Sequence, residues 1–162
     1  MKDYHDHEWG RPLHDNRRLF ELLSLEIMQA GLSWRTVLHK RTAFDRAFHN
    51  FNYRKVMKMA PALPRAFNNR KIIRNRLKLK AIINNARVVN RINQSGTDLN
   101  HYLWSFVNDR PIVNHYPTHS QVKISKQMKK AGFKFTGPVT VYSFMEASGM
   151  VNDHTMDCFL RS

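Results

Sequence analysis

Apolar residues recur at spacings of three and four along almost the whole chain, and the runs mostly stop at glycines. Short helices joined by turns are therefore what this sequence can build. The six glycines, Gly10, Gly31, Gly96, Gly132, Gly137 and Gly149, fall mostly where helix C-termini are expected. Asp15 or Asn16 can cap a helix through Leu19, Phe20, Leu22, Leu23 and Ile27 that ends near Gly31. Ser33 can cap a second, with Val37, Leu38, Phe44 and Phe48 on its inner side. Asn52 opens a short third helix, and Pro61 and Pro64 break the chain. From about Arg70 to Asn93, Ile72, Ile73, Leu77, Leu79, Ile82, Ile83, Val88, Val89 and Ile92 repeat near a period of 3.6, which predicts one long helix or two with a bend. Asp98 caps a helix through Val107, a loop follows around His115 and His119, and Gln121–Ala131 reads as another helix. The run Val139–Met145, bounded by Pro138 and Gly149, reads as a buried helix rather than a strand. A length of 162 residues with no internal repeat or linker suits a single domain over 1–162, all-α and bundle-like.

Charge narrows the partners. Lys and Arg number 27 against 12 acids, a net +15, so the surface attracts polyanions. No acid lies between Asp45 and Asp98, where thirteen Lys and Arg residues do. A merely solvated helix face gains from carrying both signs, so this middle third is expected to meet a phosphate backbone. Asn68–Asn69, before Arg70, could present backbone N–H groups at a helix N-terminus to one phosphate. The single Cys158 permits no intrachain disulfide, there is no secretory apolar region, and no apolar run nears 18 residues. The expectation is a soluble, cytoplasmic protein that does not engage membranes.

One acid stands out. Glu26 follows Leu19 and Leu22 on an apolar stripe, where a carboxylate is at least partly buried and needs a partner. Either a neighbouring Arg or backbone N–H groups satisfy it, or its partner arrives with a ligand. Trp34, Tyr4 and Trp9 are core candidates singly, but with a carboxylate they could wall a pocket for a flat, positively charged ring. His154 and Cys158, at i and i+4, could face one metal from a helical turn, joined by His5. The alternative is a capping histidine and a buried thiol. No nucleophile elbow, phosphate loop or dinucleotide fingerprint occurs.

Six strings occur in order: Tyr4-His5-Asp6 with Glu8-Trp9-Gly10; Leu25-Glu26 leading to Gln29-Ala30-Gly31-Leu32-Ser33-Trp34; Ile72-Ile73-Arg74; Leu103-Trp104-Ser105-Phe106-Val107-Asn108; Gly132-Phe133-Lys134-Phe135; and Tyr142-Ser143-Phe144-Met145 with Asn152-Asp153-His154. In this the chain resembles the DNA-3-methyladenine glycosylase I family over nearly its full length. The resemblance implies an all-helical member of the helix-hairpin-helix glycosylase superfamily, with packed N- and C-terminal segments. Such an enzyme hydrolyses the N-glycosidic bond of 3-methyladenine in double-stranded DNA by base flipping, without strand cleavage; a monomeric state is expected. It implies Glu26 as the base-recognising carboxylate, Tyr4, Trp9 and Trp34 as base-contacting aromatics, and His5, His154 and Cys158 as zinc ligands. The family's N-terminal cysteine ligand has no counterpart here, so water or an acid such as Asp6 would have to complete a tetrahedron. The hairpin falls around Asn69–Arg74, without the superfamily's glycines, and Asn69, Arg70, Lys71, Arg74 and Arg76 are the expected phosphate contacts. The superfamily's catalytic Asp after the hairpin is missing, as in the type I enzymes. A non-catalytic helical nucleic-acid-binding module would explain the charge but leave Glu26, Tyr4 and Trp34 as accidents of the core. A small helical enzyme acting on soluble polyanions would share the charge but lacks a phosphate-binding motif.

Overall fold

A computed structural model describes residues 1–113 and 120–160. Its helices are α1 Lys2–His7, α2 Asn16–Gln29, α3 Trp34–Ala47, α4 Tyr53–Val56, α5 Leu63–Phe67, α6 Arg76–Gln94, α7 Leu99–Trp104, α8 Ser120–Lys130 and α9 Pro138–Ala147. The sequence did not announce two short strands, β1 Ile112–Val113 and β2 Val151–Asn152, which pair in parallel, Ile112 with Val151 and Val113 with Asn152. The expected loop around His115 and His119 lies outside the described residues.

Helix α2 is the axis of the fold. Asp15 caps it by accepting from the Arg18 N–H, and every residue from Leu19 to Met28 is buried. A helix buried all round must satisfy its polar side chains internally. Ser24 does so by donating to the Phe20 carbonyl at 2.7 Å, and Glu21 by pairing with Arg41 at 2.7 Å. Against α2 pack α3, α6, α7 and α9. Phe48 and Phe51 stack at 5.7 Å between ring centroids, and Trp104 donates its indole N–H to the Leu13 carbonyl at 2.8 Å.

Two readings of the basic stretch need correction. The long helix begins at Arg76, capped by Asn75, not at Arg70. Residues 68–75 form the hairpin between α5 and α6, with Ile72 buried as its anchor, so the periodicity of Ile72 and Ile73 was packing rather than helix. Asn69 is not at a helix N-terminus either: its side chain accepts from the Lys71 N–H at 3.0 Å and closes the turn locally. Leu38, expected inside, is half-buried. The termini pack together, with the Gly10 N–H donating to the Ala147 carbonyl at 3.3 Å and the Leu13 N–H to the Ser148 carbonyl at 3.0 Å.

Candidate functional site

The end of α2, the start of α3, α1 and α9 meet around a cavity of about 320 Å³, lined by Tyr4, His5, Trp9, Glu26, Gln29, Trp34, Ser143 and Glu146 together with Met1. That is the lower end of the range for sites that enclose a small molecule. The turn that brings Glu26 and Trp34 to one wall is fixed from both sides. Gly31 supplies a left-handed φ of +79°, and Ser33 caps α3 by accepting from the Thr36 N–H at 3.2 Å. Lys78, buried, donates from Nζ to the carbonyls of Met28 at 3.1 Å and Ala30 at 2.5 Å. It places a cation on the negative end of α2, although burial lowers its pKa. One of the thirteen basic residues is thus an internal strut, not part of the phosphate-facing set.

Of the three buried polar side chains of α2, Glu26 alone makes no salt bridge or side-chain hydrogen bond among the described residues, and it is 5% exposed. Burial, and then the charge of Glu146, pushes its pKa up from the ordinary 4.5 to about 8. Glu146 is itself pushed to about 7, by burial first and then by Asp153, which accepts a hydrogen bond from the Tyr142 hydroxyl. Burial also raises the Tyr4 hydroxyl above its usual range. The Tyr4 and Trp34 rings lie 5.4 Å apart at 45°, and the Tyr4 hydroxyl and the Trp34 indole N–H are buried without partners. Among the described residues no Lys or Arg side chain lines this cavity, on a chain whose net charge is +15. The arrangement favours a flat cation and disfavours its neutral counterpart.

Trp9 stands at the pocket's far wall, its ring 4.7 Å from that of His154 and 5.8 Å from that of His5. His5, His154 and Cys158 converge, their ligand atoms all within 4.8 Å of one another. His154 and Cys158 do not lie on a helical turn as the spacing suggested. Residues 153–160 are non-helical, and a Cys158 N–H to Thr155 carbonyl turn brings Sγ to 3.4 Å from His154 Nδ1. A Cβ at position 10 would strike His154 Nε2, so Gly10 gives the imidazole its room. The buried imidazole also has the Trp9 backbone as a hydrogen-bonding neighbour. Two imidazoles and a thiol whose ligand atoms converge in this way are a donor set that fits zinc.

Arg70, Lys71, Arg74 and Arg76 are exposed on the hairpin and the first residue of α6, with Asn69 half-buried between them. Arg76 also rests over the Phe67 ring at 4.8 Å, bracing α5 against α6. The structure therefore gathers Tyr4, Trp9, Glu26 and Trp34 at one cavity and the five hairpin residues at another place. Sequence reasoning missed Glu146, Gln29 and Ser143. The signal for Glu146 was present: it is an acid on the apolar run of α9, the same anomaly that singled out Glu26.

A fold that is helical but for one pair of two-residue strands, with an acid-lined, aromatic pocket and a separate basic hairpin between two helices, is the arrangement that the resemblance to a DNA glycosylase implied. The family model for methyladenine glycosylase matches residues 1–161, and the chain belongs to that family. A DNA-3-methyladenine glycosylase of Haemophilus influenzae is 45% identical over 165 residues, covering 96% of this chain and 89% of the relative. DNA-3-methyladenine glycosylase 1 of Escherichia coli is 44% identical over 164 residues, covering 96% and 88%. A solved 3-methyladenine DNA glycosylase I from Staphylococcus aureus, described for its recognition of 3-methyladenine, superposes with a TM-score of 0.93 at 40% identity, covering 99% of this chain and 90% of that one.

Proposed function

We infer that this protein is a DNA base-excision repair glycosylase that hydrolyses the N-glycosidic bond of 3-methyladenine in alkylated DNA. The observation that carries the reading is the buried, unpaired Glu26 in a cavity lined by acids and aromatic rings. Methylation at N3 makes the adenine of the nucleotide cationic, so the base is already a good leaving group. It must be extruded from the stack and received by a site that prefers cation to neutral ring. A carboxylate about 4 Å from a unit charge gains about 1 kcal/mol in water and about 4 kcal/mol at an effective dielectric of 20. Unmethylated adenine gains none of this and leaves the acid unpaired.

In this mechanism the flipped base lies between Tyr4 and Trp34, with Trp9 closing the wall; the arriving cation displaces the Glu26 proton to solvent, and the carboxylate so formed holds the ring's charge. The bond from C1′ to the ring nitrogen breaks, and its electron pair returns to the base, which becomes neutral. Water adds to C1′ and gives its proton to solvent. No strand is cut, because water takes C1′ rather than an amine, whose Schiff base with the sugar would lead on to elimination of the 3′-phosphate. The neutral product no longer pairs with Glu26, which favours its release. Asn69, Arg70, Lys71, Arg74 and Arg76 meet the phosphates of a DNA duplex, and the chain acts as a monomer on DNA in the cytoplasm. No helix among the described residues is long and apolar enough to cross a membrane. His5, His154 and Cys158 would hold a zinc ion, whose chemistry is structural: it ties the segment carrying Tyr4 and Trp9 to the C-terminal segment.

The test is incubation of the protein with methylated duplex DNA and chromatography of the released bases. Wild type should release free 3-methyladenine. Glu26→Gln should release it at least about tenfold more slowly, the equivalent of 1.4 kcal/mol of transition-state stabilisation. Glu26→Gln should bind undamaged DNA as wild type does. A protein that binds DNA without releasing the base would be the non-catalytic module instead.

A further inference from the structure

Helix α3 leads away from the pocket, and its outer face is basic from end to end. Arg35, His39, Thr42 and Arg46 succeed one another at intervals of four, three and four, which places them on one face, and all four are exposed. Neither Arg35 nor Arg46 makes a salt bridge with any described residue. The helix's other arginine, Arg41, turns inward to Glu8 and Glu21, and its only acid, Asp45, lies under the influence of Glu21, Arg41 and Arg17. The outer face of α3 therefore carries one sign only.

Three hollows line this face and share walls. Met1 lines both the base pocket and a hollow bounded by Arg35 and His39. His39 continues into a broad trough of about 680 Å³ between α3 and the hairpin, where Arg46 faces Asn69 and Lys71. Arg46 and Asn69 in turn border a third hollow that ends at Arg65 of α5. Lys40 fixes the trough's floor, donating from Nζ to the Lys71 carbonyl at 3.4 Å. From Trp34 to Arg46 the helix rises about 18 Å at 1.5 Å per residue, enough for several consecutive phosphates.

We propose that the basic trough formed by the outer face of α3 and the hairpin, from Arg35 through His39 and Arg46 to Arg65, is a track for the DNA backbone flanking the flipped nucleotide. This rests on the glycosylase reading and extends the phosphate-binding surface from the hairpin onto α3, with Arg35 and His39 N-terminal in sequence to the acid-free stretch and Arg46 and Arg65 within it. The hairpin holds the duplex at a distance from the pocket. The trough connects that hold to the pocket mouth, so that the strand entering the site is gripped on its way there.

The test measures binding of an undamaged duplex as a function of salt. Replacing both arginines, Arg35→Ala with Arg46→Ala, should flatten the slope of log K against log[salt] by about 1.8, at about 0.9 per lost phosphate contact. It should raise KM for methylated duplex while leaving kcat for base release within about twofold. Lys129→Ala with Lys130→Ala removes equal charge from the exposed end of α8 and should leave the slope unchanged. A slope unaltered in the α3 variant, or lowered equally in both, overturns the proposal, since the second result would report net charge alone. Because the duplex is undamaged, these outcomes are independent of whether wild type releases 3-methyladenine, and absence of that release would refute the glycosylase reading separately.

Discussion

Glu26→Gln should stabilise the fold while abolishing its purpose, and the size of the gain should depend on pH. Burial and Glu146 raise the carboxyl from 4.5 to about 8, so the folded protein binds this proton more tightly than the unfolded chain. Below pH 4.5 both states are protonated and the group costs nothing. Between 4.5 and 8 the unfolded chain ionises while the folded one keeps its proton, and each pH unit removes about 1.4 kcal/mol of stability. The loss is about 3 kcal/mol at pH 7 and approaches 5 kcal/mol above pH 8, where it levels off. A glutamine carries no titration, and whatever its amide costs in the pocket is the same at every pH. Urea unfolding followed by tryptophan fluorescence at pH 4, 7 and 9 gives the two stability curves by linear extrapolation. The variant's advantage over wild type should grow by about 3 kcal/mol from pH 4 to pH 7 and by up to about 5 kcal/mol by pH 9. A difference flat in pH, or a variant that weakens as pH rises, would mean that Glu26 is ionised and paired in the folded protein. The pocket argument would then fail at its root.

Arg41→Ala leaves Glu21, 3% exposed, with only the long contact to the exposed Arg17 at 3.8 Å, and Glu8, at the end of the six-residue α1 that has no buried residue of its own, with only Arg18 at 3.6 Å. Thermal and urea unfolding at pH 7 should show a loss of about 3–5 kcal/mol, and the double replacement Glu21→Gln with Arg41→Met should lose clearly less. Additive losses would show that the two do not act as a pair. Metal analysis of protein purified without added zinc should find about one zinc per chain, lost in His154→Ala, and chelation should lower Tm by several degrees, since binding only to the folded state stabilises it. Protein without metal and with a Tm indifferent to chelator would refute the zinc reading and leave the His154 ring contacts with His5 and Trp9 to join the two segments there.

The sequence was most legible where one local rule governed a residue. Asp15, Ser33, Asn52 and Asp98 each cap the helix that their side-chain chemistry announced, and Pro138 opens α9 in its first turn. Glu26 was legible because an acid on an apolar stripe breaks the pattern, but whether Arg41 would reach it or Glu21 was not. Both acids lie on α2 five residues apart, and only the packing of α3 decides which of them meets the guanidinium. Ile72 and Ile73 misled because an anchor in a tight turn is as apolar as a helix face, and Lys78 because a lysine in a basic run reads as solvated until a helix end is found beneath it.

The same indeterminacy explains how a chain of net +15 keeps an acidic pocket. Charge along the sequence says nothing about which side of a helix it faces. On α3, Trp34 joins the cavity from the first turn and Arg41 turns to the buried acids. Arg35, His39 and Arg46, on the remaining face, look out to solvent. One helix thereby separates a site for a cationic base from a surface for polyanionic backbone. The separation is needed, because an arginine at the pocket wall would pair with Glu26 and cancel its preference for a charged ring.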